Sequence, residues 1–142
     1  MKKPVILIIT IVLVAVILIA YNLNVNKQKI VQAQKNNKMY EDFLNVEVLG
    51  TDIASLMNKI ADQNLKNSVS KTDEGTYKNN NSNSINLEIK FLELEETIKF
   101  EKIEEQGIKR FIQNFGTMSF KCTKIEYHQN TGNVKYMYFE QV

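Results

Sequence analysis

An uninterrupted apolar run near the amino terminus constrains this chain more than any other feature. Residues 4–20 read PVILIITIVLVAVILIA, and Thr10 is the only polar side chain among them. As a helix rising about 1.5 Å per residue, this run together with Tyr21 spans about 27 Å, near the low end of what crosses a hydrocarbon core. A helix also satisfies its backbone amides without water. We therefore predict a transmembrane signal-anchor at residues 1–21, with residues 4–21 in the lipid bilayer.

A cleaved signal peptide is the alternative interpretation of the same run. Lys2 and Lys3 would form its basic region. The cleavage site of such a signal has small residues at its last and third-last positions, and Ala20 fits the first requirement whereas Leu18 does not fit the second. A lipoprotein anchor would need a cysteine directly after the run, but the only cysteine is Cys122. The pattern favours a retained anchor.

The charges around the run bear on orientation and on partners. Two lysines precede the run, and four follow it with no acid among them, namely Lys27, Lys29, Lys35 and Lys38. We favour a cytoplasmic amino terminus and an extracytoplasmic domain, because a short basic tip followed at once by apolar residues is typical of signal-anchors, although the four later lysines favour the reverse. From Glu41 onward, the chain has 12 Lys+Arg and 16 Asp+Glu. A nucleic-acid-binding surface is basic, so we expect no nucleic-acid partner.

The rest of the chain divides into a stalk and a domain. Residues 22–49 are predicted to form a helical stalk that Gly50 ends, and residues 50–142 the domain. The clearest helix in the domain begins with Asp52 as its N-cap and runs to about Leu65. Its apolar residues recur at helical spacing on one face, and they are Ile53, Leu56, Met57, Ile60 and Ala61. Residues 66–84 are polar, and we predict a mobile loop there, with a functional loop as the alternative.

Changes in the spacing of apolar residues predict the strands and the helix that follow the loop. Alternation predicts one strand from Ile85 to Phe91 and a second at Ile98 and Phe100, separated by a polar turn at residues 93–96. Spacing of 3.6 residues predicts a helix from near Glu104 to Phe115. The remainder is predicted to be a hairpin with its turn at residues 130–133 and a bulge near Thr123. The predicted fold is α+β, with an antiparallel sheet of about four strands in the order α-α-β-β-α-β-β.

Few residues are candidates for chemistry. His128, the only histidine, stands at the entrance to a turn and is predicted to be a surface residue. Cys122 lies in a strand about 20 Å away along the chain and is predicted to be a small buried apolar residue. The acidic group is predicted to be a solvated face, because it lacks the spacing of a calcium loop; it comprises Glu93, Glu95, Glu96, Glu101, Glu104 and Glu105. We therefore predict no catalytic residue, no cofactor and no metal site, and we expect no enzyme.

Three classes of function remain open. The main prediction is a non-catalytic, membrane-anchored extracytoplasmic domain that acts through protein–protein interaction or self-association. A long apolar helix followed by a small sheet is also similar to the layout of type IV pilin-like proteins, although no glycine precedes the run and no glutamate lies five residues into it. That resemblance implies a subunit or accessory protein of a bacterial pilus or secretion apparatus. A small-ligand sensor or carrier is the third class, and it would need a concave apolar pocket lined by a few polar groups.

Overall fold

The computed structural model describes residues 2–95 and 97–142. Its elements, in chain order, are α1 (Lys2–Glu41), β1 (Glu47–Leu49), α2 (Gly50–Lys66), β2 (Asn86–Lys90), β3 (Thr97–Lys99), α3 (Phe100–Gln106), α4 (Ile108–Phe115), β4 (Ser119–Tyr127) and β5 (Val134–Gln141). The fold is α+β with an apolar amino-terminal helix, as predicted.

Helix α1 runs for 40 residues without a break. Its side chains at residues 4–24 are all exposed, and it is long and apolar enough to cross a membrane. That composition fits a single-pass anchor and a signal sequence alike. The helical stalk is confirmed only as far as Glu41, because the chain then turns through Asn45 at a φ of 61°. Residues 47–49 form β1 instead, since β4 offers them a strand partner.

The sheet has five strands in the order β1-β4-β5-β2-β3. The predicted number of strands was too low because β1 lies inside the segment predicted to be a helical stalk. The sheet was predicted to be antiparallel, but one pair of neighbouring strands, β2 and β5, is parallel, with Leu87 opposite Met137. Parallel neighbours require a connection that crosses the sheet, and α3 and α4 lie in that connection. The prediction missed this pair because the apolar alternation of a strand does not indicate which other strand it will pair with.

The hairpin of β4 and β5 and its bulge are confirmed. Cys122 lies opposite Phe139 and Lys124 opposite Tyr138, so Thr123 is the extra residue. Because of this extra residue, Ile125 lies on the core side of the strand. It is opposite the buried Met137 and packs against the core.

Helix α2 matches its prediction closely. Ile53, Leu56, Met57 and Ile60 are buried, and Ala61 is half-buried. The N-cap is Leu49 and not Asp52, whose carboxylate accepts the backbone N–H of Leu49 at 3.1 Å.

Gly50 brings α2 against α4. A Cβ at this position would lie 2.1 Å from the carbonyl oxygen of Phe115, too close for any side chain. The N–H of Gly50 donates to the carbonyl of Met118 at 2.9 Å, and Thr51 donates likewise to Gly116 at 3.1 Å. The start of α2 is therefore held directly on the turn between α4 and β4.

The predicted single helix near residues 104–115 is two helices. Gly107 separates them with a φ of +97°, a left-handed conformation that favours glycine. The first helix starts at Phe100, which was predicted to lie in the second strand. The side chain of Phe100 is buried in the core. The polar turn predicted at residues 93–96 includes Glu96, which lies outside the described residues.

Two buried asparagines join segments that no helix or strand ladder connects. The Nδ2 of Asn37 donates to the carbonyl of Gly132 at 2.7 Å, and the Oδ1 of Asn37 accepts the N–H of Val134 at 2.9 Å. Asn64 makes the same pair of bonds to the backbone of Ile85, both at 2.8 Å. Asn37 thereby fixes α1 to the start of β5, and Asn64 fixes α2 to the start of β2.

The Asn37 contact predicts a specific mutational effect. Asn37→Ala leaves the buried N–H of Val134 and the part-buried carbonyl of Gly132 without this partner, and we expect a loss of about 1–3 kcal/mol in the free energy of unfolding. Denaturation of the full chain in detergent micelles measures this loss, and hydrogen exchange at the Val134 amide should accelerate.

The neighbouring residue provides the control. Asn36 is exposed, and its Oδ1 accepts a hydrogen bond from Gln32 within α1. Asn36→Ala should change stability by no more than about 0.5 kcal/mol. Equal effects of the two substitutions would show that Asn37 does not hold the helix to the domain.

Candidate functional site

The segment at residues 66–84 makes hydrogen bonds within itself and an aromatic contact with the domain. The Oδ1 of Asn80 accepts the backbone N–H groups of Ser82, Asn83 and Ser84. The ring of Tyr77 stacks on that of Phe100 with centroids 5.7 Å apart. The mobility of this segment stays a prediction, but its contacts determine the surroundings of the candidate groups described below.

His128 is buried, so its prediction as a surface residue is wrong. Its side chain is only 3% exposed, and its Nε2 lies 2.7 Å from the carbonyl oxygen of Ser84. Since a carbonyl only accepts hydrogen bonds, Nε2 carries the proton. The segment at residues 66–84 covers this turn, where Thr131 also donates to the carbonyl of Ser82 at 2.5 Å. The sequence gives no sign of this cover, because it joins residues more than 40 positions apart.

Cys122 behaves as predicted. It is fully buried in the core, and its Sγ donates to the carbonyl of Lys124 at 3.6 Å. Burial raises the pKa of the thiol above its ordinary value. Cys122 is therefore a protonated thiol at neutral pH, which makes it a poor nucleophile.

The acidic group does not form one solvated face. Glu93, Glu95 and Glu105 are exposed. Glu104 forms an ion pair with Lys71 at 3.0 Å. Glu101 is only 6% exposed, so the prediction of a solvated face is wrong at this position. The burial of Glu101 could have been predicted from a helix that starts at Phe100, because Glu101 then borders the helix face formed by Phe100 and Ile103.

The two carboxylate oxygens of Glu101 differ in their surroundings. Oε1 accepts the backbone N–H of Tyr77 at 3.0 Å. Oε2 is buried and has no hydrogen-bond partner among the described residues. A buried carboxyl oxygen without a hydrogen-bond partner costs free energy. Glu101 is therefore the one candidate group that the fold leaves incompletely satisfied in the part of the chain that the structure describes.

Two cavities flank Glu101. A cleft of about 640 Å³ is lined by charged residues of α3 and of the loop around Gly75. A smaller cavity of about 160 Å³ lies against the sheet, where Glu88 and Tyr136 line it with Glu101. The hydroxyl of Tyr136 donates to Glu88 at 2.9 Å, and burial together with this carboxylate raises the pKa of Tyr136. Within residues 2–95 and 97–142, no three His, Cys, Asp or Glu side chains are grouped to hold a metal ion.

An apolar groove also lies between the β2–β3 turn and the two short helices. It is lined by Phe91, Phe111 and Phe115, with Arg110 at its edge, and it encloses about 220 Å³. Pockets for small ligands usually enclose about 300–1,000 Å³. The groove is therefore small for a carrier of the kind that the sequence left open.

Exposed apolar side chains gather at one end of the sheet. We call Leu49, Leu92, Met118 and Val142 the apolar rim, since all four are exposed. Hydrogen bonds bring them together, as Gln141 accepts the N–H of Leu92 at 3.2 Å and donates to the sulfur of Met118 at 3.1 Å.

The remaining rim residues are placed by Ser119. Leu49 pairs with Ser119 in the sheet, and the N–H of Val142 donates to the carbonyl of Ser119 at 3.0 Å. The rim lies at the end of β5, about 23 Å along the strand from Val134, where Asn37 holds α1. The rim and the α1 contact therefore occupy opposite ends of the sheet.

Comparison with known proteins gives no relative of this chain. It matches no protein-family model, no curated protein and no solved structure. Its function is therefore inferred from its own residues.

The burial of His128 predicts a loss of stability on truncation. His128→Ala leaves the carbonyl of Ser84 without its donor, and we expect a loss of about 1–3 kcal/mol in the free energy of unfolding. Gln129→Ala, at the exposed neighbouring position, should stay within about 0.5 kcal/mol. Melts of the full chain in detergent micelles compare the two, and a silent His128→Ala would mean that the imidazole is a surface group.

Proposed function

We propose that this chain is a single-pass membrane protein whose α+β domain lies outside the cytoplasm and acts by binding another protein, without catalysis. The apolar rim carries this proposal. The support comes from α1, from the rim and from the state of the candidate chemical groups.

Helix α1 supports a retained anchor. Its apolar residues are exposed on all sides, so a lipid environment is the surrounding that would bury them. The same helix continues unbroken into the domain, where Ala33, Asn37 and Tyr40 are buried. A domain joined in this way is held at a fixed distance from the bilayer, because no flexible linker separates it from the anchor.

The rim supports a protein partner. Leu92 is 69% exposed, and its N–H donates to Gln141 at the same end of the sheet as the three other exposed rim residues. Clustered apolar side chains on a folded surface typically mark a site of protein association, whereas single ones are ordinary. Because α1 enters at the opposite end of the sheet, an anchored domain presents the rim away from the bilayer, where a second protein can approach it.

The candidate chemical groups support action without catalysis. Among the described residues, the imidazole of His128 is buried against a backbone carbonyl, and Cys122 is a buried protonated thiol. Each of the two side chains is hydrogen-bonded to a backbone carbonyl, His128 to that of Ser84 and Cys122 to that of Lys124, whereas a nucleophile and its base would be bonded to each other.

A pilin-like role is the second candidate, and the unbroken α1 favours it. An apolar helix that continues directly into a sheet domain is the layout that filament subunits share. A filament subunit would appear in the fraction sheared from the cell surface, whereas a solitary anchored domain would stay with the membrane.

The anchor and its orientation predict two measurements. The mature protein should have the intact mass of a chain that keeps its amino terminus, and it should resist extraction by salt and carbonate because its attachment is hydrophobic. A reporter that is active only outside the cytoplasm should work when fused after Val142. A mass that matches a chain starting at Tyr21 would show that the segment is a cleaved signal. Activity of only a cytoplasmic reporter at the same position would show that the orientation is the reverse of the proposed one.

The rim predicts a position-dependent crosslink. A photo-reactive residue in place of Leu92 should yield one adduct of defined mass in intact cells, because the partner covers this side chain. The matched control is Leu65, which is 76% exposed at the far end of α2. A photo-reactive residue there should yield little adduct. Equal yields at both positions, or none at either, would contradict a docking role for the rim.

A further inference from the structure

We propose that the cleft beside the turn between β4 and β5 binds a neutral oligosaccharide. The cleft is lined by this turn and by residues 79 and 81, at the end of the sheet where Asn37 holds α1. It encloses about 680 Å³, which lies within the range of about 300–1,000 Å³ that ligand sites occupy. The inference goes beyond the proposed function and does not depend on it, because the apolar rim lies at the opposite end of the sheet.

Amide side chains make up half of the residues that line this cleft. They are those of Asn79, Asn81, Gln129 and Asn130, and all four residues are exposed. Each amide carries hydrogen-bond donors and an acceptor on one planar group. A sugar hydroxyl likewise both donates and accepts a hydrogen bond, so adjacent hydroxyls of a sugar ring are matched by adjacent amides. The amides therefore give the cleft the hydrogen-bonding groups that a sugar requires.

Hydrogen bonds connect the two segments that carry these amides. Within the first segment, the N–H of Asn81 donates to the Oδ1 of Asn79 at 2.9 Å. Between the segments, the hydroxyl of Thr131 and the side chain of Asn133 both donate to the carbonyl of Ser82. A ligand that contacts both segments at once therefore finds them already joined, and less conformational freedom is lost when it binds.

The ring of Tyr127 adds an aromatic surface to the cleft. This side chain is 42% exposed, and its hydroxyl donates to the Oε1 of Glu41 at 2.9 Å, so the ring is anchored at its hydroxyl as well as at its strand. The face of an aromatic ring carries partial negative charge. The C–H groups of a sugar ring carry partial positive charge, and sugars therefore stack on such faces. The aromatic ring is an observation independent of the amides, and it points to the same class of ligand.

The charges of the cleft favour a neutral ligand. One carboxylate, that of Glu126, and one ammonium group, that of Lys135, line the cleft, and their charges cancel. Glu126 also forms an ion pair with Lys124, so its charge is already matched within the chain. An ionic ligand therefore gains little from this cleft. A peptide fits less well than a sugar, because apolar anchors contribute much of the affinity of peptides and none of the described lining residues has an aliphatic apolar side chain.

Titration with three trisaccharides tests the site directly. The full chain in dodecylphosphocholine micelles, a detergent without a sugar head group, is titrated with chitotriose, cellotriose and maltotriose. The side-chain NH₂ groups of Gln129 and Asn130 report binding in NMR spectra, because both residues line the cleft. We expect a saturable shift of these signals with at least one trisaccharide, with a Kd on the order of millimolar. Glycerol, which has hydroxyls but no ring, should give no saturable shift.

Substitutions in the cleft and outside it give a matched comparison. Tyr127→Leu removes the aromatic surface and should weaken binding of the trisaccharide by about tenfold, whereas Tyr127→Phe keeps the ring and should weaken it by no more than about threefold. Gln129→Ala removes one amide and should weaken binding by about two- to tenfold without loss of stability. Gln113→Ala removes an exposed amide on α4, outside the cleft, and should leave binding unchanged.

The outcomes that overturn the proposal are distinct. No saturable shift with any of the three trisaccharides, an equal shift with glycerol, or equal weakening by Gln113→Ala would each show that the cleft is not a sugar site. N-acetyl-trialanine amide is the further probe, and tighter binding of this peptide than of every trisaccharide would assign the amides to a peptide backbone instead. A Leu92 crosslink that persists in any of these cases would leave the proposed function standing while the sugar site falls.

Discussion

The side chain of Asn37 is where the apolar helix and the folded domain meet. Helix α1 shares no strand ladder with the sheet, yet Asn37 pairs with the backbone of Gly132 and Val134 as a neighbouring strand would. The bond to Val134 is buried and the bond to Gly132 is part-buried, so losing them would cost about 1–3 kcal/mol. This amide side chain therefore helps to fix the direction in which the domain faces, together with Ala33 and Tyr40, which are buried on the same helix. Asn64 makes the same kind of contact for α2, so the abundant asparagine of this chain is structural at both positions.

The segment at residues 66–84 contributes to the surroundings of two buried titratable groups, His128 and Glu101. At its end, the carbonyl of Ser84 accepts from His128, and in its middle the N–H of Tyr77 donates to Glu101. The imidazole has its partner, and a carbonyl contact of this kind is sufficient reason for a buried histidine. The carboxylate has a partner for only one of its two oxygens. The same segment therefore supplies a partner to the ring Nε2 of His128 and to one of the two carboxyl oxygens of Glu101.

The apolar rim and the cavities at Glu101 are two surfaces of different physical character. Contact at Leu92 and its neighbours would contribute affinity through the burial of apolar area, which has no preferred direction. The cavities at Glu101 are lined mostly by charged and polar side chains, so contact there would depend on the direction of hydrogen bonds. The two surfaces lie on separate parts of the domain, so substitutions can remove one and leave the other intact.

Local pattern alone determined the apolar helix, the buried face of α2, the hairpin with its bulge at Thr123, and the burial of Cys122. Each of these follows from residues a few positions apart, because helix and strand periods act over that range. Only the tertiary structure decided that residues 47–49 form a strand, that β2 and β5 run parallel, and that His128 and Glu101 are buried. Each of these depends on a partner more than 20 positions away along the chain. Pairing at that distance is set by how the core closes, and the period of a single segment carries no record of it.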